Sequence, residues 1–356
     1  MEEGCPTFFP PFLPSSLASP YSLIHSFNHS KLETSTSHYR SLVAKLPLLK
    51  AEIAKVIVGQ QDAIEEILIA LLASGHCLLE GVPGLAKTLM VKTMSEALHM
   101  SFRRIQFTPD LMPGDIIGTE ILEEDHETGK KFFKFNRGPL FANVVLADEI
   151  NRTPPKTQAA LLEAMQEKSV TYGGENYPLP NPFLIIATQN PIEQAGTYPL
   201  PEAQLDRFLL YIKLSYPSET EELDVLRTTT GTLKPEIGRI LSDTEIAELQ
   251  KLTRQVHIAD ELLVQINQLV RASRPENTDS QFVREWCDWG AGPRAGQALV
   301  LCAKARAVLH ERFAVVPEDI RALAFPVLRH RIAMNFRAEA EGITSDQVID
   351  ELLSAR

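Results

Sequence analysis

The stretch "GVPGLAKT", from Gly81 to Thr88, stands between an apolar run, "HCLLE" (76–80), and a segment with helical spacing, "LMVKTMSEAL" (89–98). A glycine-containing turn between a buried strand and a helix is typical of loops that cradle a phosphate. Ala86 occupies the position where a glycine usually precedes the lysine. The loop alone therefore leaves two interpretations open, a phosphate-binding turn with a tolerated substitution or a purely structural turn.

Lys87 and Thr88 fall in the first turn of the predicted helix, where the macrodipole is positive. A lysine there costs roughly 0.3–1 kcal/mol unless an anion lies beside it. A phosphate would remove that cost and accept the free backbone N–H groups, which the open backbone at Gly81 and Gly84 would expose. Lys87 would then reach the β and γ phosphates, and the Thr88 hydroxyl would bind Mg²⁺. We expect Ala86 to be harmless, because it enters the helix with right-handed dihedrals.

Strands and helices alternate around this loop. The helix before it, within residues 57–75, places Ile64, Ile67, Leu68 and Leu71 on one face. Continuous apolar strands separated by helices predict an α/β fold, with a parallel sheet covered on both faces. The five candidate strands are residues 76–80, 101–107, 143–149, 182–190 and 208–216.

Beyond Pro217 the strand signal ends, and helical periodicity continues to the last residue. We therefore predict a core at residues 39–216 and a separate helical domain at 217–356. Residues 1–38 are rich in Pro, Ser, His and Phe, and we expect a poorly ordered extension, with a partner-binding peptide as the alternative. Two β-hairpins are predicted inside the core, at 116–135 with a turn at 127–130 and at 169–179 with a turn at Gly173-Gly174.

Composition excludes several classes of protein. The net charge of −11 argues against a DNA-binding surface over the whole protein. The four cysteines are far apart in sequence, which predicts neither a zinc site nor disulfides and suits the cytoplasm. No apolar run is long enough to span a bilayer, and the N-terminal residues lack the basic start of a signal peptide.

Polar residues follow two other predicted strands. "VVLADE" ends with Asp148 and Glu149, and "FLIIATQN" ends with Asn190. The carboxyl ends of parallel strands open onto one crevice, so all three are expected beside the glycine loop. Two carboxylates at the end of a buried strand need a cation or water, and we assign Asp148 to Mg²⁺ and Glu149 to the attacking water. Asn190 alone reads as a common Asn-Pro turn.

Three arginines are candidate anion ligands. Arg294 follows Pro293 at a predicted helix start, where a cation again calls for an anion. Arg207, in "PLPEAQLDRF", ends a short predicted helix, where a dipole contact or an ordinary ion pair is the stronger alternative. Arg152, in "DEINR", is a weaker candidate anion ligand than either of these two arginines.

Together, "GVPGLAKT", "VVLADEINR", "ATQNP", "PLPEAQLDRF" and "GAGPRA" resemble the AAA+ ATPases, and within them the MoxR family, over roughly residues 40–335. The resemblance implies a five-stranded parallel αβα core with a helical lid, ATP and Mg²⁺ as ligands, and a ring expected to be hexameric. It implies that Asp148 and Glu149 form Walker B, Asn190 sensor 1, Arg207 an arginine finger and Arg294 sensor 2. The residues implied to bind the nucleotide are Gly59, Gln60, Gly81, Val82, Pro83, Gly84, Leu85, Ala86, Lys87, Thr88 and Leu89.

The resemblance further implies ATP-driven, chaperone-like remodelling or activation of a client complex, including metal or cofactor insertion, with a partner that bears a von Willebrand factor A domain. It also implies that the first hairpin faces the ring pore. The rivals are a DNA-translocating motor like the MCM helicases, a chelatase ATPase subunit, and a nucleotide-gated scaffold with little turnover. The first hairpin carries both basic and acidic residues, so it is a poor binding surface for a nucleic-acid backbone. We expect neither a membrane nor a nucleic-acid partner.

Overall fold

The computed structural model describes residues 37–124, 126–127, 129, 131–192, 196–231 and 235–354. Ser41–Arg356 form one compact unit, and in the other unit, Met1–Arg40, the described residues 37–40 are helical. The prediction for most of residues 1–38 lies outside the described residues, as do Thr128 and Lys130 of the first predicted turn.

Helices and strands alternate through the first part of the chain. They are α1 Leu46–Ala54, α2 Gln61–Leu72, β1 Cys77–Glu80, α3 Lys87–Ala97, β2 Phe102–Gln106, α4 Pro113–Ile117, β3 Gly118–Glu124, β4 Lys131–Arg137, β5 Val144–Asp148, α5 Pro155–Glu167, β6 Ser169–Tyr172, β7 Glu175–Pro178, β8 Leu184–Gln189, α6 Glu202–Leu205 and β9 Leu210–Lys213, with a 3₁₀ turn at Ile150–Arg152.

The central sheet has five strands in the order β2-β5-β8-β1-β9, and every pairing within it is parallel. Each strand falls inside one of the five predicted apolar runs, so the predicted α/β fold is confirmed. β5 is buried along its whole length, and β8 is buried up to its last residue. The glycine loop after β1 and the polar residues after β5 and β8 therefore meet at one edge of the sheet.

Helix α2 packs with the face that the spacing predicts. Ile64, Ile67, Leu68 and Leu71 are all buried. Burying an aliphatic side chain of this size contributes about 1.5–3 kcal/mol. This face fixes α2 in the core directly upstream of β1 and the loop.

Two antiparallel hairpins project from the α/β core, as predicted. β3 pairs with β4, and β6 pairs with β7 across Gly173 and Gly174, both of which have positive φ. The Phe135 ring of the first hairpin contacts Tyr172 and Tyr177 of the second, with centroid distances of 4.9 and 4.5 Å. The two hairpins therefore pack against each other through one aromatic cluster.

The remaining elements are mainly helical, as predicted. They are α7 Glu219–Thr229, α8 Asp243–Gln255, α9 Asp260–Ala272, α10 Gln281–Trp286, β10 Cys287–Trp289, α11 Pro293–Leu309, α12 Pro317–Leu328, β11 Ala333–Met334, α13 Phe336–Glu341 and α14 Ser345–Ser354.

The short antiparallel pair β10–β11 adds a small β-ladder to this helical region, which periodicity alone did not predict. Two- and three-residue strands are too short to display an alternating pattern in the sequence. In the part of the chain that the structure describes, no helix has the length and apolarity needed to cross a bilayer.

Glu66 on α2 is half-buried, and its carboxylate makes no hydrogen bond to any described residue. Burial, with smaller repulsion from Asp62 and Glu65, raises its pKa from 4.5 to about 7, despite the attraction of Arg329. Between these two pH values the unfolded chain binds fewer protons than the folded chain. The contribution of Glu66 to the free energy of unfolding therefore falls as the pH rises from about 4.5 to about 7.

Glu66→Gln is expected to remove this loss, raising the free energy of unfolding at pH 8 by up to about 3 kcal/mol. Near pH 4.5 the variant and the parent should unfold at similar temperatures, which thermal melts at both pH values would measure. Glu65→Gln is the matched control. Burial raises the pKa of Glu65, but hydrogen bonds from Lys50 and His310 outweigh burial and hold it below its ordinary value. That control should be destabilised at pH 8, and equal gains for Glu66→Gln at both pH values would contradict the prediction.

Candidate functional site

The glycine loop leaves β1 and enters α3 at Lys87, as the sequence predicts. A Cβ on Gly81 would approach the Cβ of Leu214 to 2.9 Å, so only glycine fits there without displacement. Gly84 has a φ of +90°, which also favours glycine. Among the described residues, no backbone N–H from Gly84 to Leu89 donates to a backbone carbonyl. The loop therefore presents a row of free donors at a helix N-terminus.

Ala86 does not adopt the right-handed dihedrals that we expected. It is the N-cap residue of α3, with φ 53° and ψ 24°, in the left-handed region. For a residue with a Cβ this conformation costs roughly 1–2 kcal/mol, because the Cβ approaches the following carbonyl. The expectation that Ala86 is harmless is therefore wrong, and the glycine usually found at this position would avoid the strain.

The Lys87 ammonium lies inside the loop, where its Nζ donates to the Gly81 carbonyl at 2.6 Å. Burial lowers the pKa of Lys87 from its ordinary value, while the carboxylates of Asp148, Glu149 and Glu80 act in the opposite direction. The three carboxylates compensate the charge of the half-buried ammonium, and Nζ, which donates to the Gly81 carbonyl, keeps further protons to donate to a ligand oxygen. Thr88 follows on the same turn, and no described residue hydrogen-bonds its hydroxyl.

Asp148 is the last residue of β5 and is buried. Its Oδ1 accepts a hydrogen bond from the Thr188 hydroxyl at 2.6 Å. Its Oδ2 accepts from Nε and Nη2 of Arg104 at 3.1 and 2.7 Å. The chain itself thus supplies one cation to the carboxylate, and these contacts offset its desolvation.

Glu149 follows in a left-handed conformation, with φ 58°. Its backbone N–H donates to the Thr188 hydroxyl at 2.9 Å, which supports this strained position. Its Oε2 accepts from Gln106 Nε2 at 2.7 Å and from Arg152 Nη1 at 2.8 Å. No described residue donates to Oε1, so one carboxylate oxygen remains available to a proton donor.

Asn190 directly follows β8 and is buried. Its Oδ1 accepts from the Ile192 backbone N–H at 3.2 Å. Its amide nitrogen has no acceptor in the part of the chain that the structure describes. Asn190 therefore offers a donor at the same sheet edge as the two carboxylates.

One cavity of about 450 Å³ brings these groups together. Val82 and Gly81 are outside its lining, although they form the start of the same loop. Its lining residues are Pro83, Gly84, Leu85, Ala86, Lys87, Thr88, Leu89, Arg104, Asp148, Glu149 and Asn190.

A second cavity of about 390 Å³ shares five loop residues with the first. Its lining includes Val56, Ile57 and Val58 together with the exposed Tyr216 and Leu226. Gln60 also lines this cavity, and its Nε2 donates to the Ser215 carbonyl at 2.7 Å. Gly59, with φ +71°, forms the adjoining turn without lining the cavity.

Arg207 and Arg294 lie outside both cavities. Arg207 is exposed, and its guanidinium pairs with none of the described residues. Arg294 stands at the start of α11 as predicted, and the anion beside it is Asp206, 3.3 Å from its Nη1. The structure therefore does not bring these two arginines to the loop of their own chain.

Residues 76–210 match the ATPase family associated with various cellular activities (AAA), and residues 283–352 match the AAA lid domain. Chaperone MoxR1 of Mycobacterium tuberculosis is 44% identical over 303 residues, which cover 85% of this chain and 79% of that protein. The chain belongs to the MoxR family of AAA+ ATPases. Protein MoxR of Methylorubrum extorquens is 30% identical over 321 residues, covering 85% of this chain and 91% of its own length. A crystal structure of a candidate ATPase from Cytophaga hutchinsonii superposes with a TM-score of 0.85 at 44% identity, covering 91% of this chain and 98% of that one.

Three residues of this MoxR-family site were missed by sequence reasoning. They are Arg104, Gln106 and Thr188. Arg104 and Gln106 alternate along β2, and Gln106 is in register with Asp148 on β5. Side chains two positions apart on a strand point to the same face of the sheet. The polar pair Arg104 and Gln106 therefore indicated contact with the acidic pair on a neighbouring strand. Thr188 lies on β8 two positions before Asn190, which gives the same kind of signal.

Proposed function

We propose that the chain binds ATP with Mg²⁺ and hydrolyses it, and that it uses the hydrolysis to remodel or activate a client protein complex. The observation that carries this proposal is the single cavity lined by Lys87, Thr88, Asp148, Glu149 and Asn190. Family membership implies nucleotide binding, and a chaperone is among the relatives.

The first cavity suits a triphosphate. Free N–H groups from Gly84 to Leu89 and the Lys87 ammonium would bind its phosphate oxygens. The second cavity, with its apolar and exposed lining, would accept the base beside Gln60. The two cavities share five loop residues, so one nucleotide would occupy both.

The residues present also fit Mg²⁺. The Thr88 hydroxyl and the Asp148 carboxylate are hard oxygen ligands on the lining of the same cavity. The Asp148 carboxylate accepts hydrogen bonds from two residues, Thr188 and Arg104, and still has a lone pair for a metal ion. When bound, the ion would neutralise charge on the β and γ phosphates.

Glu149 would polarise the attacking water through Oε1, while Gln106 and Arg152 hold its other oxygen in place. The Asn190 amide would orient the water or contact the terminal phosphate. Arg294 would leave Asp206 to bind a nucleotide as sensor 2. Arg207, which projects without a described partner, would reach the nucleotide of a neighbouring copy.

We further propose a hexameric ring, with residues 39–216 as the core and 217–356 as the lid. Motion of the lid against the core would pass around the ring to a client. A protein with a von Willebrand factor A domain is the partner we propose. We assign the chain to the cytoplasm, where the free thiols of Cys77, Cys287 and Cys302 would persist.

Calorimetric titration of the full chain with ATP and Mg²⁺ tests nucleotide binding. Lys87→Ala is expected to weaken the affinity about tenfold or more, because a charged hydrogen-bond donor to phosphate is lost. Lys92→Ala is the matched control, since Lys92 lies on the same helix and, among the described residues, pairs with Glu96 on the surface. Absence of binding by the folded parent chain would refute the proposal.

Stimulation of the ATPase by DNA would instead favour a translocating motor. Binding of ATP without turnover would favour the nucleotide-gated scaffold.

The first hairpin offers little support for the motor. Lys134 in this hairpin pairs with Glu123 at 3.1 Å, which makes the lysine less available to the phosphates of DNA.

A further inference from the structure

Arg104 on β2 contacts the carboxylate that we assign to Mg²⁺. Its Nε and Nη2 both donate to Oδ2 of Asp148, at 3.1 and 2.7 Å. Only 12% of the Asp148 side chain is exposed, whereas 46% of the Arg104 side chain is. A half-exposed guanidinium therefore neutralises a buried carboxylate, and both residues line the first cavity.

Hydrogen bonds to other polar residues hold this pair in place. Nη2 of Arg104 also donates to Oε1 of Gln106 at 2.6 Å. A guanidinium has donors but no acceptor, so this contact turns the Gln106 amide nitrogen toward Glu149, which accepts from it at 2.7 Å. Oδ1 of Asp148 accepts from the Thr188 hydroxyl at 2.6 Å. Arg104 thus belongs to a chain of hydrogen bonds that fixes both carboxylates.

A divalent cation and the Arg104 guanidinium would compete for Asp148. Mg²⁺ in proteins takes one or two carboxylates together with phosphate oxygens and water. The charge of an arginine is permanent, so Arg104 does not yield by losing a proton. A metal ion that arrives alone would have to displace two charge-assisted hydrogen bonds or stand beside a second cation on one carboxylate.

A nucleotide changes this balance without a rearrangement of the backbone. Its phosphates would bring several negative charges into the cavity that Arg104 and Asp148 both line. Those charges compensate the guanidinium and the metal ion together, so the two cations no longer depend on one carboxylate. The metal ion would then be accepted with the phosphates rather than ahead of them.

We propose that Arg104 is a positioning residue that holds Asp148 and keeps it from binding a divalent cation until a nucleotide is present. This inference rests on the proposed function, because the nucleotide is the ligand that admits the metal ion. The buried Asp148 carboxylate would keep a cationic partner throughout, and binding of Mg²⁺ ahead of ATP would be suppressed.

Titration of the full chain with Mn²⁺ alone tests this hold. Mn²⁺ takes the same oxygen ligands as Mg²⁺, and electron paramagnetic resonance measures the free ion directly. Without nucleotide, Arg104→Gln is expected to bind Mn²⁺ about three- to tenfold more tightly than the parent, between the effect of an exposed ion pair and that of a charge-assisted hydrogen bond. With a non-hydrolysable ATP analogue bound, this difference should shrink to about twofold or less, because the phosphates compensate Arg104.

Further variants locate the gain. Adding Asp148→Asn to Arg104→Gln should abolish it, because the carboxylate that Arg104 releases is then removed. Arg152→Gln is the matched control, since Arg152 donates to Glu149 at 2.8 Å and its loss removes an equal charge beside the same acidic pair. Its effect on Mn²⁺ affinity should stay below about twofold. If Arg104→Gln does not fold, Arg104→Lys, which keeps the charge but not the planar fork of donors, should show a smaller gain.

Mn²⁺ affinity equal to that of the parent in both Arg104 variants would overturn this inference. A gain that survives Asp148→Asn, or an equal gain in Arg152→Gln, would also overturn it, because the effect would not act through Asp148. An undiminished difference with the analogue bound would refute the role of the nucleotide. Failure of the parent to bind ATP would instead refute the proposed function, while the gain with Mn²⁺ alone would still decide whether Arg104 holds Asp148.

Discussion

Replacing Arg207 by alanine is expected to lower ATPase turnover by about 10³-fold or more, while ATP affinity changes by no more than about twofold. The physical reason is its position. Arg207 is exposed and lies outside the lining of its own chain's cavities, so it would stabilise transition-state charge only in a neighbouring site. Steady-state ATPase assays and nucleotide titrations would measure the two effects separately.

Arg321→Ala, an exposed arginine on α12, is the control for a general loss of surface charge. Mixing Arg207→Ala chains with Lys87→Ala chains should restore activity, since each lacks what the other supplies. Full turnover in Arg207→Ala would show that the arginine has no catalytic role. Failure of every mixture would remove the support for action between subunits.

Glu149→Gln is expected to lower turnover by about 10²- to 10⁴-fold and to preserve ATP binding. Glutamine keeps an oxygen that can accept from Gln106 and Arg152 but cannot take a proton from water. The loss should therefore fall on the chemical step, which single-turnover measurements would separate from binding.

Glu163→Gln is the matched control, because Glu163 is exposed on α5 away from the cavity lining. Turnover of Glu149→Gln within about tenfold of the parent would mean that another group acts on the water. Loss of ATP binding in this variant would mean that Glu149 holds the nucleotide site together.

The sequence was sufficient to predict the sheet. Four of the five predicted runs are mainly apolar, the fifth is residues 101–107, and each of the five contains one strand of the sheet. The meeting of Lys87, Asp148 and Asn190 was also predictable, because parallel strands open onto one edge. These predictions depend on local pattern and on a general property of parallel sheets.

Contacts that depend on tertiary packing could not be predicted. Arg294 and Asp206 are 88 positions apart, and no local pattern indicates their pairing. Ala86 was misjudged because a helix boundary in sequence does not specify the dihedral of its N-cap. Arg104 reaches Asp148 from the neighbouring strand, which only the order of strands reveals.

The aromatic cluster around Phe135 has a mechanical consequence. Each ring contact of this kind contributes about 0.5–1.5 kcal/mol, so two contacts favour the joined hairpins over separated ones by roughly 5- to 150-fold. The exposed Phe133 lies near the tip of the first hairpin, and the second hairpin leads through β7 toward β8 and Asn190. A displacement of that tip would therefore pass through the joined hairpins toward β8 and Asn190, at the edge of the sheet where the glycine loop lies.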